Sequence, residues 1–354
     1  MKNILITGGA GFIGSNFLEY FLMKYPDYNL INLDLLTYAG SLENLRAIQK
    51  HPGYKFVKGD ICNRKLIENL FNKYDIQGVI HFAAESHVDN SIKNPEVFIK
   101  TNVIGTYTLI DVAYRYWMVK PFIYKDKYID CRFHHISTDE VYGTLGETGA
   151  FTENTPYAPN SPYSASKAGS DMIVRAYHHT YGMNTVITNC SNNYGPRQHD
   201  EKLIPTIIRS AIRGNPIPIY GDGKNIRDWL YVIDHCKGID IVFHKGRRGE
   251  VYNIGGRSER ENIYVANKIC EILDEKYPVS KNKNLAPEKK ISSYKELIKF
   301  VEDRAGHDRR YAMDTSKIES ELGWKAEESF ESGIVKTVEW YMEKYKLTVN
   351  DSPQ

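Results

Sequence analysis

The chain opens on Asn3-Ile4-Leu5-Ile6-Thr7, a short apolar run between two polar residues. A glycine cluster follows, then apolar positions three and four apart over residues 12–24. The run reads as a core strand and the spacing after it as an amphipathic helix. The alternation repeats, with strands expected at 30–34, 55–58, 78–82, 134–138 and 185–190 and helices at 64–74, 95–117 and 164–181. Regular β-α-β alternation implies a parallel sheet with helices on both faces, because parallel neighbours need crossovers. The expected fold class is therefore α/β: a Rossmann-type doubly wound parallel sheet with a smaller, mostly helical C-terminal unit.

The pattern changes after about Tyr194-Gly195-Pro196. Helical segments at 203–213, 234–243, 263–276, 315–322 and 329–345 are separated there by short strands and Gly/Pro loops. We expect a dinucleotide-binding and catalytic domain over 1–194 and a substrate domain over 195–345, with some strand exchange between them. A tail should follow over 346–354. Ligand sites of open α/β sheets form where a second unit closes over the carboxyl ends of the strands. Residues 120–132 read as an exposed insertion and 281–290 as a solvated polar loop.

Composition narrows the classes. With 42% hydrophobic and 25% charged residues among 354, the chain is an ordinary globular one. Forty-six Lys+Arg against 44 Asp+Glu give no electrostatic reason to expect nucleic acid or an anionic membrane as partner. No stretch approaches the ~18 apolar residues of a membrane span, and Met1 runs at once into the first strand, so no signal peptide is expected and the cytoplasm is the expected location. Five cysteines, far apart and without a C-x-x-C, read as reduced thiols. The doublets His134-His135 and His178-His179 lack Cys or carboxylate at ligand spacing, so no metal is expected.

Candidate chemistry begins at Gly8-Gly9-Ala10-Gly11-Phe12-Ile13-Gly14, between the first strand and first helix. Gly8, Gly11 and Gly14 allow a tight turn, close approach to a pyrophosphate and close helix–strand packing. Asp34, twenty residues on, suits an adenine ribose and repels a 2′-phosphate, which favours NAD. Asp60-Ile61, after the third strand, either flanks an adenine or starts a helix cap. Phe82-Ala83-Ala84-Glu85-Ser86 ends the fourth strand, its small alanines leaving room for the cofactor. Tyr163 and Lys167, four apart at a helix start, share one face. A neighbouring ammonium and a positive nicotinamide would both favour the phenolate, so a tyrosine pKa lowered by ~2–3 units is expected.

The glycine fingerprint, Asp34 and Tyr163-x-x-x-Lys167 resemble the extended short-chain dehydrogenase/reductases that act on nucleotide sugars. Within them Ser137-Thr138-Asp139-Glu140-Val141-Tyr142-Gly143, with its adjacent Asp-Glu, is similar to the branch that dehydrates dTDP-glucose. Further matches include Ala83-Ala84-Glu85-Ser86-His87-Val88-Asp89, Ser191-Asn192-Asn193-Tyr194-Gly195-Pro196 and Arg227-Asp228-Trp229, and the resemblance covers residues 1–345. It implies NAD held by the residues above with Leu35, Thr37, Thr101, Tyr163 and Lys167. It also implies a substrate held by Ser86 and Thr138 near the hexose, and by Arg227 and Arg304 on the diphosphate. Asn192, Asn193, Asn262, Lys202, Leu203 and His307 would assist, and Pro218-Ile219-Tyr220 would lie against the base. Leu35, where Lys is frequent, and Ser258, where Asn is usual, depart from the pattern.

The implied chemistry explains the residue types. Water leaves C6 of glucose with difficulty because the C5 proton is not acidic, and a ketone at C4 makes it so. Tyr163, with Thr138 and Lys167, would take the C4 hydroxyl proton as hydride passes to NAD. Glu140 would take the C5 proton, Asp139 would protonate the departing C6 hydroxyl, and hydride would return to C6. Two adjacent carboxyl groups in a closed site should be driven to different pKa values. In a strand Asp139 would point away from Thr138 and Glu140, so the chain must turn there. Relatives pair through the two long helices, and a homodimer is expected. A UDP-glucose 4,6-dehydratase, a nucleotide-sugar 4-epimerase and a non-catalytic NAD-binding scaffold are the other readings. Rhamnose or another deoxysugar fits equally as the end product.

Overall fold

A computed structural model describes residues 2–285 and 290–350, with side chains described through Tyr345. Its centre is a seven-stranded, wholly parallel sheet. In chain order the strands are β1 (Lys2–Thr7), β2 (Tyr28–Asp34), β3 (Tyr54–Lys58), β4 (Gly78–His81), β5 (Arg132–Thr138), β6 (Thr185–Cys190) and β7 (Val251–Ile254), laid out as β3-β2-β1-β4-β5-β6-β7. The order reverses at β1, between β2 and β4, and that switch point opens a crevice at the strands' carboxyl ends. Register brings the functional segments to one edge: Thr7 lies beside both Leu33 and His81, and Thr138 beside Cys190.

Strand alternation sorts the core into two layers. Ile4 and Ile6 pack with Phe17, Leu18 and Phe21 of α1 (Phe12–Lys24) and with Ile239 of a later helix, Val232–Lys245. Leu5, between them, faces the opposite layer. There it meets Ile67 and Phe71 of α2 (Arg64–Tyr74), Leu109 and Trp117 of α3 (Thr106–Trp117), and Val174 of α4 (Pro162–Tyr181). Both faces are covered, which is why β1 reads as an apolar run.

The second unit has its own core. Ile204 and Ile208 of α5 (Leu203–Ile212), Val265 and Ile269 of α6 (Asn262–Lys276), and Ile334, Val338 and Tyr341 of α7 (Phe330–Asn350) enclose Trp229 and Ile217. Two small sheets complete it. Ile226–Tyr231 runs between Asn192–Tyr194 and Glu259–Glu261, and Ile217–Tyr220 pairs with Ile298–Val301.

Several elements differ from expectation. The helix foreseen over 95–117 is a string of segments, Pro95–Phe98, a π-helical stretch at Ile99–Gly105 and α3, and a separate short helix, Val88–Lys93, precedes it. The insertion at 120–132 forms a small hairpin, Met118–Lys120 with Ile123–Tyr124, tied down by Tyr128, whose hydroxyl donates to Asp75 at 2.7 Å. α7 continues through residue 350, into the expected tail, and residues 351–354 lie outside those described. Of the polar loop at 281–290, residues 286–289 lie outside them too. Among the described residues no helix is long and apolar enough to cross a membrane, and no cluster of His, Cys, Asp and Glu could hold a metal.

Candidate active site

A cleft of about 310 Å³ runs along the carboxyl edge of the sheet. The glycine loop floors one end. Gly8 takes φ +74°, and a Cβ there would lie 2.6 Å from the Ala83 backbone nitrogen. A Cβ on Gly14 would strike the Gly8 carbonyl. Gly11 is the N-cap of α1 and offers no side-chain acceptor to the helix's free N–H groups, and no acid occupies the first turn. An uncapped helix N-terminus facing open space fits the diphosphate of a dinucleotide.

Asp34 ends β2 beside this loop. Its two carboxylate oxygens accept from the Ala10 and Leu36 backbone N–H groups at 2.8 Å each, so the acid fixes the loop as well as facing the cleft. Burial raises its pKa, and those two bonds pull against the rise. Asp60 is not the cap of α2. Asn63 is, and Asp60 accepts from the Cys62 N–H at 2.8 Å while lining the cleft. Phe12, Ile13, Leu35, Thr37, Ile61, Phe82, Ala83, Ala84, Ser86 and Thr101 line it with them.

At the other end stand Thr138, Asp139, Glu140, Tyr163 and Lys167. β5 stops at Thr138, and a 3₁₀ turn over Asp139–Tyr142 begins at once, the Thr138 hydroxyl accepting from Glu140 N–H at 3.3 Å. That turn supplies the bend needed for three consecutive side chains to face one cleft. Tyr163 and Lys167 sit on the first turns of α4, started by a reciprocal Ser161–Ser164 capping box with Pro162 at the first helical position.

The electrostatics separate the two carboxyls. Asp139 is 2% exposed, one of its oxygens has no hydrogen-bond partner, and burial with the charges of Glu140 and Asp228 drives its pKa well above the carboxylate range. Glu140 is also raised by burial, but Arg304, Lys202 and Arg227 pull it back. Tyr163 behaves opposite to expectation. Burial and the Glu140 charge raise its pKa far above 10, with Thr138 the polar neighbour acting the other way. The Lys167 ammonium is bonded elsewhere, to the Ile136 carbonyl at 2.8 Å and to His135 Nε2 at 3.4 Å.

The expected substrate residues divide. Ser86, Thr138, Asn192, Asn193 and Lys202 line the cleft, with Lys202 Nζ donating to the Ser86 carbonyl at 2.9 Å. Arg227 does not. Its guanidinium lies 4.3 Å over the Tyr311 ring and spends its donors on the Ile226 and Asp308 carbonyls at 2.8 Å each. Arg304 is free of such ties, with Nε unpartnered and its head 3.7 Å from Asp89. Tyr220 and His307 gather near it, their rings 6.3 Å apart. Ile219 is a correction. Alternation turns Pro218 and Tyr220 outward and buries Ile219 in the second unit's core, where Leu203 also packs. Asn262 starts α6 with its side-chain oxygen buried and unpartnered. Cleft residues not foreseen from the sequence include Cys190, Gln198, His199 and Glu201. The last three lie on one loop just before Lys202, and that adjacency was the available signal.

A dinucleotide loop, a Tyr-x-x-x-Lys helix and a second unit folded over the same sheet edge define a short-chain dehydrogenase/reductase of the extended, nucleotide-sugar kind. The model of the family described as GDP-mannose 4,6 dehydratase matches residues 5–337. The dTDP-glucose 4,6-dehydratase of Xanthomonas campestris is 52% identical, over 97% of this chain and 93% of that protein. Among solved structures, the dTDP-glucose 4,6-dehydratase of Bacillus anthracis in complex with NAD is 47% identical, with a TM-score of 0.83 over 98% of both chains. That of Streptomyces venezuelae, also with NAD bound, is 43% identical with a TM-score of 0.84, over 98% of each. The chain belongs to the dTDP-glucose 4,6-dehydratase family.

Proposed function

We propose that this chain is an NAD-dependent hydro-lyase that converts dTDP-glucose to dTDP-4-keto-6-deoxyglucose and water. One observation carries the reading: Asp139, whose pKa burial and neighbouring acids push well up, and Glu140, flanked by cations that oppose its rise, line with Tyr163 the same cleft as the dinucleotide loop. NAD, when bound, would supply a reversible hydride acceptor for the cycle. Gly8, Gly11, Gly14, Asp34, Asp60 and the segment 82–86 are the residues to hold it.

The chain's own work is proton management. Tyr163 takes the C4 hydroxyl proton, and because burial and the Glu140 charge raise its pKa, a positive charge near the ring would help it do so. Glu140 takes the C5 proton once a ketone stands at C4. Asp139 gives its proton to the C6 hydroxyl as it leaves. A carboxyl held neutral beside one held ionised supplies acid and base at one pH.

Residues 195–345 we assign to the nucleotide sugar, with Lys202 and Arg304 toward its diphosphate, and residues 1–194 to the cofactor. Exposed Ile99, Ile104 and Met172 along the two long helical faces support a homodimer formed through them, which sedimentation tests. Five unpaired cysteines support a cytoplasmic setting.

The deciding experiment is incubation of the purified chain with dTDP-glucose and mass spectrometry of the product. Loss of one water is expected. An unchanged mass with inversion at C4 would make the chain an epimerase, and preference for UDP-glucose would move the substrate assignment.

A further inference from the structure

Behind Lys167, away from the cleft, lies a buried polar cluster that the proton steps above leave unused. Asp171 is four residues beyond Lys167 and fully buried. Its Oδ2 accepts from Ser137 Oγ at 2.7 Å and from the Tyr157 hydroxyl at 3.0 Å. Its Oδ1 lies 3.1 Å from His135 Nε2 and has no hydrogen-bond donor. Each element packed around it contributes a group: Lys167 and Ser170 from α4, His135 and Ser137 from β5, Tyr157 from the loop before α4, and Tyr142 from the turn after β5. From β6, Asn189 donates to both tyrosine hydroxyls and Cys190 faces Lys167.

The geometry points to Asp171 as a positioning residue for the reaction, its buried carboxylate being the counter-charge that keeps Lys167 an ammonium one helical turn from Tyr163. This inference rests on the proposed function above. Burial works against the Lys167 charge, and Asp171 is the carboxylate that works for it. His135 cannot replace it, because burial holds that imidazole neutral. Lys167 Nζ and Asp171 Oδ1 both meet the Nε2 of that neutral ring, at 3.4 and 3.1 Å, so His135 ties the two together without adding charge. Burial raises the Asp171 pKa to about 6 against the pull of the Lys167 charge and of the Ser137 and Tyr157 hydrogen bonds, so the ionised form prevails above that pH.

The test compares kcat on dTDP-glucose for the wild type, Asp171→Asn and Asp171→Glu from about pH 6 to about pH 9. Near pH 6, where lysine is protonated in any case, Asp171→Asn should stay within about threefold of wild type. It should fall at least tenfold behind by about pH 8.5, a shift of about one pH unit in the basic limb, and Asp171→Glu should restore that limb. A loss of equal size at every pH, the mark of a structural role, overturns the inference. Independently of turnover, enzyme labelled with carbon-13 at lysine Cε reports the charge, the Lys167 resonance being assigned by its absence in Lys167→Arg. An ammonium shift in the wild type at about pH 7.5, lost at least one unit lower in Asp171→Asn, supports the inference. A wild-type Lys167 already neutral at about pH 7 overturns it even should the Asn variant fail to fold. If the wild type does not dehydrate dTDP-glucose, the functional reading fails and this titration alone decides the role of Asp171.

Discussion

Asp139 and Glu140 are joined by one peptide bond yet stand in opposite surroundings. The first has one orphaned oxygen and two neighbouring acids, whereas the second is ringed by Arg304, Lys202 and Arg227. The 3₁₀ turn that begins at Asp139 makes this possible by aiming consecutive side chains at one cleft from different directions. Glu140→Gln should therefore lose both exchange of the C5 proton with deuterated solvent and release of water, by about 10²–10⁴-fold. Asp139→Asn should keep the exchange and slow the water loss. Undiminished C5 exchange in Glu140→Gln would remove that residue from proton abstraction.

Gly8 is the least replaceable residue of the cofactor loop. Its φ of +74° costs any other residue roughly 1–2 kcal/mol, and an added Cβ would meet the backbone of Ala83 rather than a movable side chain. Gly8→Ala should lower the melting temperature and abolish retention of NAD through purification. A variant that keeps both would show that the loop and β4 can part without loss.

Arg304 should serve affinity more than rate. With Nε unpartnered and Asp89 its distant counter-ion, the guanidinium is available to a phosphate in a way that Arg227, engaged with main-chain carbonyls, is not. Arg304→Gln should raise KM for dTDP-glucose by about 10–100-fold, the equivalent of 1.4–3 kcal/mol for a charged hydrogen bond. kcat should change much less. A KM unchanged within twofold would send the diphosphate elsewhere.

Asp240 ties the helix Val232–Lys245 to α1. Against the burial that would raise it, hydrogen bonds from His244, Lys24, Tyr20 and Tyr25 hold its pKa at about 2. A depressed carboxylate contributes stability above its unfolded pKa of about 4, and loses it as pH falls through the folded value. Asp240→Asn should cost about 2 kcal/mol in urea unfolding at neutral pH. The difference from wild type should shrink below about pH 4. A difference independent of pH would mean that packing, not charge, joins these helices.

What was legible in the sequence was local. The glycine loop, Asp34 and the Tyr163–Lys167 pair each depend on one strand end or one helix turn, so spacing alone conveys them. The raised pKa of Tyr163 was not legible because its causes, burial in the cleft and the charge of Glu140, come from other elements than its own helix. Asp171 continues the four-residue spacing of Tyr163 and Lys167, but its meaning needs the register that sets Ser137 and His135 against it. Arg227 could not be placed from sequence because its partners lie about eighty residues away at Asp308 and Arg309. Ile219 was within reach, since period-two alternation already separates it from Pro218 and Tyr220.

β7 comes from beyond residue 250 yet lies along β6, which ends at Cys190. A nascent chain that has emerged only through β6 thus exposes the whole flank of that strand, a row of unmet amide and carbonyl groups inviting another chain. Severing the protein at residue 194 should yield a sticky, aggregating fragment rather than a free-standing cofactor module. The last parallel strand therefore works as a latch, sealing the sheet only after much of the sugar-binding half has been made.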